Sequence, residues 1–203
     1  MTALRLDWAP RDAAEYSCRH WHYSRTVPAS RLIVVGVWED DAFKGVVIFS
    51  RGATGQIGKP FGLTQTEICE LTRIALREHA SAVSRIVAIA LRMLKRNSPG
   101  LRLVVSYAAA EQGHHGGIYQ AGNWIYAGPI DSYGFVIKGE FKHARTLTAR
   151  YGVGGGQEDW LKRNVDAHAM KVRDLVRHKY LMPLDDAMRV QIAPLAQPYP
   201  KRV

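Results

Sequence analysis

Cysteine is nearly absent from this 203-residue chain; Cys18 and Cys69 are the two that occur. No C-x-x-C pair exists, which excludes a cysteine zinc knuckle. Two lone cysteines fit a reducing compartment, where they act as small buried apolar residues. Long apolar runs are lacking too. The first residues, MTALRLDWAP, hold no signal-type apolar run, and no stretch approaches the length of a membrane span. The expectation is a soluble cytoplasmic protein with no membrane partner. No internal repeat is visible. Acidic residues are scarce beside basic ones, since 18 Asp and Glu face 28 Lys and Arg for a net charge of +10. That excess favours a polyanionic partner, nucleic acid first and a phosphate-rich cofactor second. It is spread along the chain, because residues 140–203 hold 12 basic against 7 acidic groups, half of the excess.

Apolar residues make up 47% of the chain, enough to bury a core. LRLDW (4–8) alternates like a short strand, and residues 11–24 read as a helix that Pro28 closes off. The β-branched runs 31–39 and 43–52, joined by Asp40-Asp41, predict a β-hairpin. Residues 52–65 are a glycine-rich loop and 67–75 a buried strand. In VSRIVAIALRMLKR (83–96), residues Val83, Ile86, Val87, Ala90, Leu91 and Leu94 form one stripe at helical spacing. A strand over 101–108 follows, then a short helical piece and a strand within 111–131, and a weaker strand signal over 134–141. GVGGGQ (152–157) reads as a flexible joint, and 158–181 as an amphipathic helix. The fold class is therefore α/β, a mixed sheet flanked by helices. The division expected is a catalytic domain over 1–150 and a C-terminal helical extension over 151–203 packed on it. The order of elements is that of the GNAT acyltransferase fold, which by itself does not fix function.

Ligands of such sheets gather beyond the carboxyl ends of strands. One candidate is the turn before the helix at Val83, where backbone N–H groups with Ser81, Ser84 and Arg85 could hold a pyrophosphate. Its sequence, REHASAVSR, has no glycine, which counts against a bulky acyl-CoA grip. A second candidate is EQGHHGGIYQAGNWIYAG (111–128), after Ser106-Tyr107 at a strand end. Its glycines let backbone approach a ligand, and His114 and His115 offer imidazoles that can take up a proton or ligate a metal. A third is HWHYS (20–24). His20 and His22 share a face only if the helix has already ended there; otherwise they cap carbonyls. Glu70 and Arg73, three apart on a strand pattern, are expected on opposite faces, with a rim salt bridge as the bland alternative.

YSCRHWHYS (16–24), GVWEDDAFKGVVIFSRGA (36–53), LTQTEICELTRIAL (63–76), VSRIVAIALRMLK (83–95), PGLRLVVSYA (99–108), QGHHGGIYQAGNWIYAG (112–128) and HKYLMPLD (178–185) closely resemble the Mom family of phage DNA-modification proteins. The resemblance runs from about residue 10 to residue 190. It implies a GNAT-like fold and modification of adenine in double-stranded DNA to N6-carbamoylmethyl-adenine. That product masks DNA from restriction in a bacterial host. The basic surface is then explained by phosphate contacts.

Acyl transfer from acetyl-CoA would give N6-acetyl-adenine instead, so acetyl-CoA or a related donor is left open. A metal, iron first, would supply the missing reactivity. Its candidate ligands are His20, His22, Glu70 and His114. His22, Tyr23, Ser106, Tyr107 and His115 are the candidate catalytic residues, a tyrosine among them as general acid. Ser84, Arg85 and Arg73 are the candidate cofactor contacts. Arg51 and Lys59 are assigned to phosphates. Tyr119, Trp124 and Tyr126 are assigned to stacking on an adenine turned out of the duplex. A homodimer is left open. Two rival readings remain: a conventional acetyl-CoA-dependent acyltransferase acting on a small-molecule or protein amine, and a non-catalytic DNA-binding protein.

Overall fold

The computed structural model describes residues 3–52, 55–152 and 157–201. The elements run β1 (Leu4–Trp8), α1 (Arg11–Trp21), β2 (Leu32–Glu39), β3 (Ala42–Ser50), β4 (Ile68–Leu76), α2 (Val83–Asn97), β5 (Leu103–Ala109) and α3 (Gly117–Gln120). They continue with β6 (Ile125–Ile137), β7 (Glu140–His143), α4 (Ala144–Tyr151), α5 (Gln157–Asn164), β8 (Met170–Pro183) and α6 (Asp186–Ile192). The strands form one eight-stranded sheet in the order β1-β2-β3-β4-β5-β8-β6-β7. Every neighbouring pair is antiparallel except β4 and β5. The α/β expectation holds.

Local chemistry explains the parts that position the cleft. Asp40 and Asp41 both take positive φ, and Glu39 pairs with Ala42, so β2 and β3 are joined by a two-residue turn whose twist matches the strands. The apolar stripe of α2 packs on one face of the sheet, against Val35, Val37, Val47, Phe49, Leu71 and Val104. Each fully buried Ile or Leu of that stripe contributes about 1.5–3 kcal/mol. On the opposite face Ala14 and Cys18 of α1 pack against Val34, Val46, Ile48 and Ala75. The two helices thus clamp β3 and β4 from opposite sides.

Two expectations are corrected. Helix over 158–181 is found only in α5; residues 170–183 are the strand β8, inserted between β5 and β6. Val172, Leu175 and Val176 mimic helical spacing, but Val172, Val176 and Tyr180 also fit alternation. The open edges of β5 and β6 decide the matter, because β8 satisfies both ladders at once. The joint expected over 152–157 lies mostly outside the described residues.

The second correction concerns Glu70 and Arg73. Ile48 pairs with Arg73, whereas its neighbour Phe49 pairs with Leu71, so Thr72 is an extra residue on β4. The Thr72 hydroxyl donates to the Ile48 carbonyl at 3.1 Å and fixes this bulge. One extra residue resets the side-chain alternation. Glu70 opposite Ser50 and Arg73 opposite Ile48 therefore share the α1 face.

Candidate functional site at the sheet split

β4 and β5 pair only over Ile68–Leu71 and Leu103–Ser106. Beyond these residues β4 follows β3 to Leu76 and β5 follows β8 to Ala109. The sheet therefore splits at the carboxyl end of its parallel pair, which is where open α/β sheets hold ligands. Ser106 sits fully buried at the apex and hydrogen bonds to the Leu71 carbonyl at 2.8 Å and the Tyr119 hydroxyl at 2.7 Å. A carbonyl only accepts, so the single Ser106 proton goes to Leu71 and the Tyr119 hydroxyl donates to Ser106 Oγ. Burial pushes the Tyr119 phenol up to about 12, helped by Tyr23, Glu70 and Tyr180 nearby. Tyr119 is a neutral strut at neutral pH.

Two distant stretches meet above this apex. Helix α1 ends at Trp21, and His22 takes extended backbone. The Tyr23 ring lies 4.3 Å from the His22 ring and 5.8 Å edge-on to the His114 ring. Burial, the Arg73 guanidinium and His114 pull the His22 imidazole down to about 3. His22 is thus neutral at physiological pH. Its Nδ1 accepts the Ser24 N–H at 3.1 Å, so the ring proton resides on Nε2 and His22 presents a donor. Arg73 donates to the Thr72 carbonyl at 2.7 Å and the Thr26 carbonyl at 3.4 Å, which ties β4 to the segment after α1. Glu70, 7% exposed, brings a carboxylate to the same face and lies close to Gly52.

The other expected residues fall elsewhere. His20 is exposed on α1, stacked on Tyr16 and bonded to the Tyr16 carbonyl at 2.8 Å. Among the described residues no group of three or more His, Cys, Asp or Glu is placed to hold a metal ion. The set His20, His22, Glu70 and His114 therefore does not fit a metal as arranged. Strand alternation sends Tyr107 to the face opposite Ser106, which is the face of Glu70, and there it packs near Phe61 and Leu181. Tyr119, Trp124 and Tyr126 are only 7%, 1% and 5% exposed. Their rings pack on one another and on Tyr180 at centroid distances of 5.0–5.2 Å. No face is free for a base, and this corrects the stacking assignment. Arg51 and Lys59 are exposed on the loop side of the sheet.

His115 belongs to a neighbouring cluster rather than to the His22 side. The Tyr180 hydroxyl donates to the His115 carbonyl at 2.6 Å, and Gln120 adds a bond at 3.2 Å. His178 bonds the Tyr126 hydroxyl at 2.9 Å, and burial and His115 lower its pKa. His178, Tyr180 and Gln120 were invisible as site residues in the sequence, because two of them were read as part of a helix.

The turn before α2 also differs from expectation. The Ala80 and Ser81 N–H groups donate to the Glu39 carboxylate at 2.8 and 2.7 Å. Hydrogen bonds from the Ser81 side chain and the Ala80 backbone hold Glu39 down to about 2. Ser84 and Arg85 lie in the first turn of α2, Arg85 exposed. Two N–H groups of the turn, both ahead of the first residue of α2, are thus taken by a carboxylate of the protein itself. No signal marked Glu39, which reads as part of an acidic hairpin turn.

Split sheet, neutral histidine, buried carboxylate and exposed tyrosine define a mixed α/β protein with a chemically equipped cleft at its strand ends. Comparison with known proteins refines the class. The Mom protein family matches residues 3–201, and the chain belongs to that family. The methylcarbamoylase Mom of Escherichia phage Mu is 27% identical over 191 residues, covering 89% of this chain and 76% of the phage Mu protein. A solved structure from Acinetobacter baylyi ADP1, provisionally named an acetyltransferase, superposes with a TM-score of 0.49 at 12% identity, covering 91% and 94% of the two chains. No helix among the described residues is long and apolar enough to cross a membrane.

Proposed function

We propose that this member of a phage DNA-modification family transfers a carbamoylmethyl group to N6 of adenine in double-stranded DNA. The observation that carries the reading is the meeting of HWHYS with the glycine-histidine stretch over the split, Tyr23 against His114 at 5.8 Å. The phage Mu relative, named a methylcarbamoylase, supports the same transfer.

The target base must leave the duplex to present N6. Tyr23, 51% exposed at the mouth of the cleft, offers the aromatic surface for it. The chemistry is a substitution at carbon. The N6 lone pair forms a bond to the CH2 of a donor X–CH2–C(O)NH2. The C–X bond breaks and its electron pair leaves with X. Glu70 takes the N6 proton, and His22 Nε2–H donates to the departing X or to an acceptor on the base. Arg73 holds its two carbonyl partners and keeps positive potential beside both groups. Net charge of +10, with Arg51 and Lys59 exposed, supplies the attraction for phosphates.

Mass spectrometry of nucleosides from plasmid DNA of expressing bacteria tests this. The expected product is adenosine heavier by a carbamoylmethyl group, absent with Glu70→Gln and with His22→Ala. An acetylated adenosine would replace the reading with acyl transfer onto DNA. Unmodified DNA from well-folded protein would refute it.

A further inference from the structure

We propose that the duplex carrying the target adenine docks on the α1 lip of the cleft and not on the glycine-histidine lip. Its phosphates meet Arg19 and Arg25, and a sugar packs on the Tyr16 ring. The inference rests on the adenine-modification reading and says which surface holds the substrate. Tyr23 and His114 meet at the mouth, so one lip is the end of α1 that leads to Tyr23 and the other is the loop that carries His114. The two differ in charge. Residues 108–137, which contain the His114 loop, hold no Lys or Arg in a chain with 28 of them, and they include Glu111 and Asp131. Residues 16–25 hold Arg19 and Arg25 and no acidic residue. A polyanion brought to this mouth is drawn to the second stretch and not to the first.

Both arginines are exposed, and neither has a carboxylate partner among the described residues, unlike Arg11, which pairs with Glu15 at 2.8 Å. The carboxyl end of a helix repels anions through its unpaired carbonyls. Arg25 offsets that here, since its Nη1 donates to the Arg19 carbonyl at 2.7 Å and to the His20 carbonyl at 3.5 Å. Tyr16 lies on the same helix face as Arg19 and His20, three and four residues on. Tyr16 and Tyr23, 52% and 51% exposed, are the most exposed of the described Tyr, Trp and Phe residues. The Tyr16 ring is held in place all the same, by His20 at 4.2 Å and by Trp21 edge-on at 5.3 Å. An exposed ring that is already ordered loses little freedom on binding. From Tyr16 to Trp21 the helix rises about 7.5 Å, so this surface spans about two base steps beside the adenine turned into the cleft.

The test is fluorescence anisotropy of a labelled, adenine-containing duplex of about 20 base pairs with purified full-length protein, at about 50 to about 200 mM salt. Arg19→Ala is expected to weaken binding and to flatten the slope of log affinity against log salt by about 0.9. The advantage of wild type then shrinks about three- to fourfold across that range. Arg19→Lys should keep the wild-type slope. Tyr16→Ala should weaken binding severalfold at an unchanged slope, since it removes no charge. Arg96, in the last turn of α2 and remote from the mouth, is the control, and Arg96→Ala should change neither affinity nor slope. Should Tyr16→Ala lower Tm, Arg19→Ala carries the comparison, because its guanidinium is exposed. Wild-type affinity and slope in Arg19→Ala, or an equal loss of slope in Arg96→Ala, would overturn the inference. Nucleosides from cells expressing the same variants separate this from failure of the functional reading. Carbamoylmethylated adenine at the wild-type level with Arg19→Glu sinks the docking surface alone. Unmodified or acetylated adenine with wild type sinks the reading beneath it.

Discussion

Two near-isosteric changes at the apex of the split are expected to differ severalfold in cost. Tyr119→Phe deletes one neutral hydrogen bond, the 2.7 Å contact with Ser106. Ser106 keeps its proton on the Leu71 carbonyl, so no buried donor is stranded, and the loss is about 1 kcal/mol. Ser106→Ala instead removes the partner of both the Tyr119 hydroxyl and the Leu71 carbonyl. A buried group left unsatisfied costs about 1–3 kcal/mol, so roughly 2–4 kcal/mol is expected for the pair. In a chain of this size the two changes lower Tm by about 3 °C and about 6–12 °C. In the double variant only the carbonyl is stranded, so Tyr119→Phe adds nothing on top of Ser106→Ala. That is a coupling of about 1 kcal/mol or more. Urea unfolding followed by circular dichroism on the four proteins measures it. If the changes add to within about 0.5 kcal/mol, or Tyr119→Phe costs as much as Ser106→Ala, the two hydroxyls do not act as one strut and the direction assigned to their bond is wrong.

Other consequences are as definite. Gly116 has φ +84°, and a Cβ there would lie 2.3 Å from the Tyr180 ring; Gly116→Ala should cost well over about 1 kcal/mol, read as a lower Tm. The His22 imidazole is lowered from 6.5 to about 3, so between those values the unfolded chain binds a proton that the folded one does not. Stability is then full above pH 6.5 and falls as pH drops through that window, by at most about 1.4 kcal/mol per pH unit. Urea midpoints for wild type and His22→Gln would separate below neutrality, and parallel curves would contradict the burial of a neutral ring. Tyr23→Ala should leave stability within about 0.5 kcal/mol yet abolish modification. Tyr23→Phe should retain it, and equal loss in both would make the hydroxyl an acid instead of the ring a platform.

Much of the frame was legible because one local rule decided each piece. Ile86, Val87, Ala90, Leu91 and Leu94 were read as a buried stripe and are buried. Asp40-Asp41 between two β-branched runs was read as a hairpin and is one. The failures share a different cause. Whether 170–181 forms helix or strand depends on two open strand edges supplied by residues far away in the chain. The faces of Glu70 and Arg73 depend on a bulge at Thr72 that β3 imposes. Glu39 acts across 41 and 42 positions of sequence on Ala80 and Ser81. Periodicity sees none of these, because each is a long-range backbone event.

The glycine-histidine stretch shows how function and packing can be confused in a sequence. Its glycines suggested a backbone open to a ligand. Gly116 is instead required by Tyr180, whose ring occupies the place a side chain would take, and Gly117 makes room for the His115 imidazole, which a Cβ there would meet at 2.9 Å. Tyr180 completes the arrangement by donating to the His115 carbonyl. The glycines therefore press the loop onto the strand β8, and the loop in turn fixes His114 where it can meet Tyr23. β8 therefore matters to the cleft through the loop that it holds in place. Replacing Tyr180 by Phe keeps the ring beneath Gly116 and removes the 2.6 Å bond to the His115 carbonyl together with the 3.2 Å bond that the Gln120 amide donates to the hydroxyl. Modification should then weaken with a loss of stability of about 1–2 kcal/mol, that of two hydrogen bonds. A variant with unchanged activity and unchanged stability would show that the loop is held by the glycine contact alone.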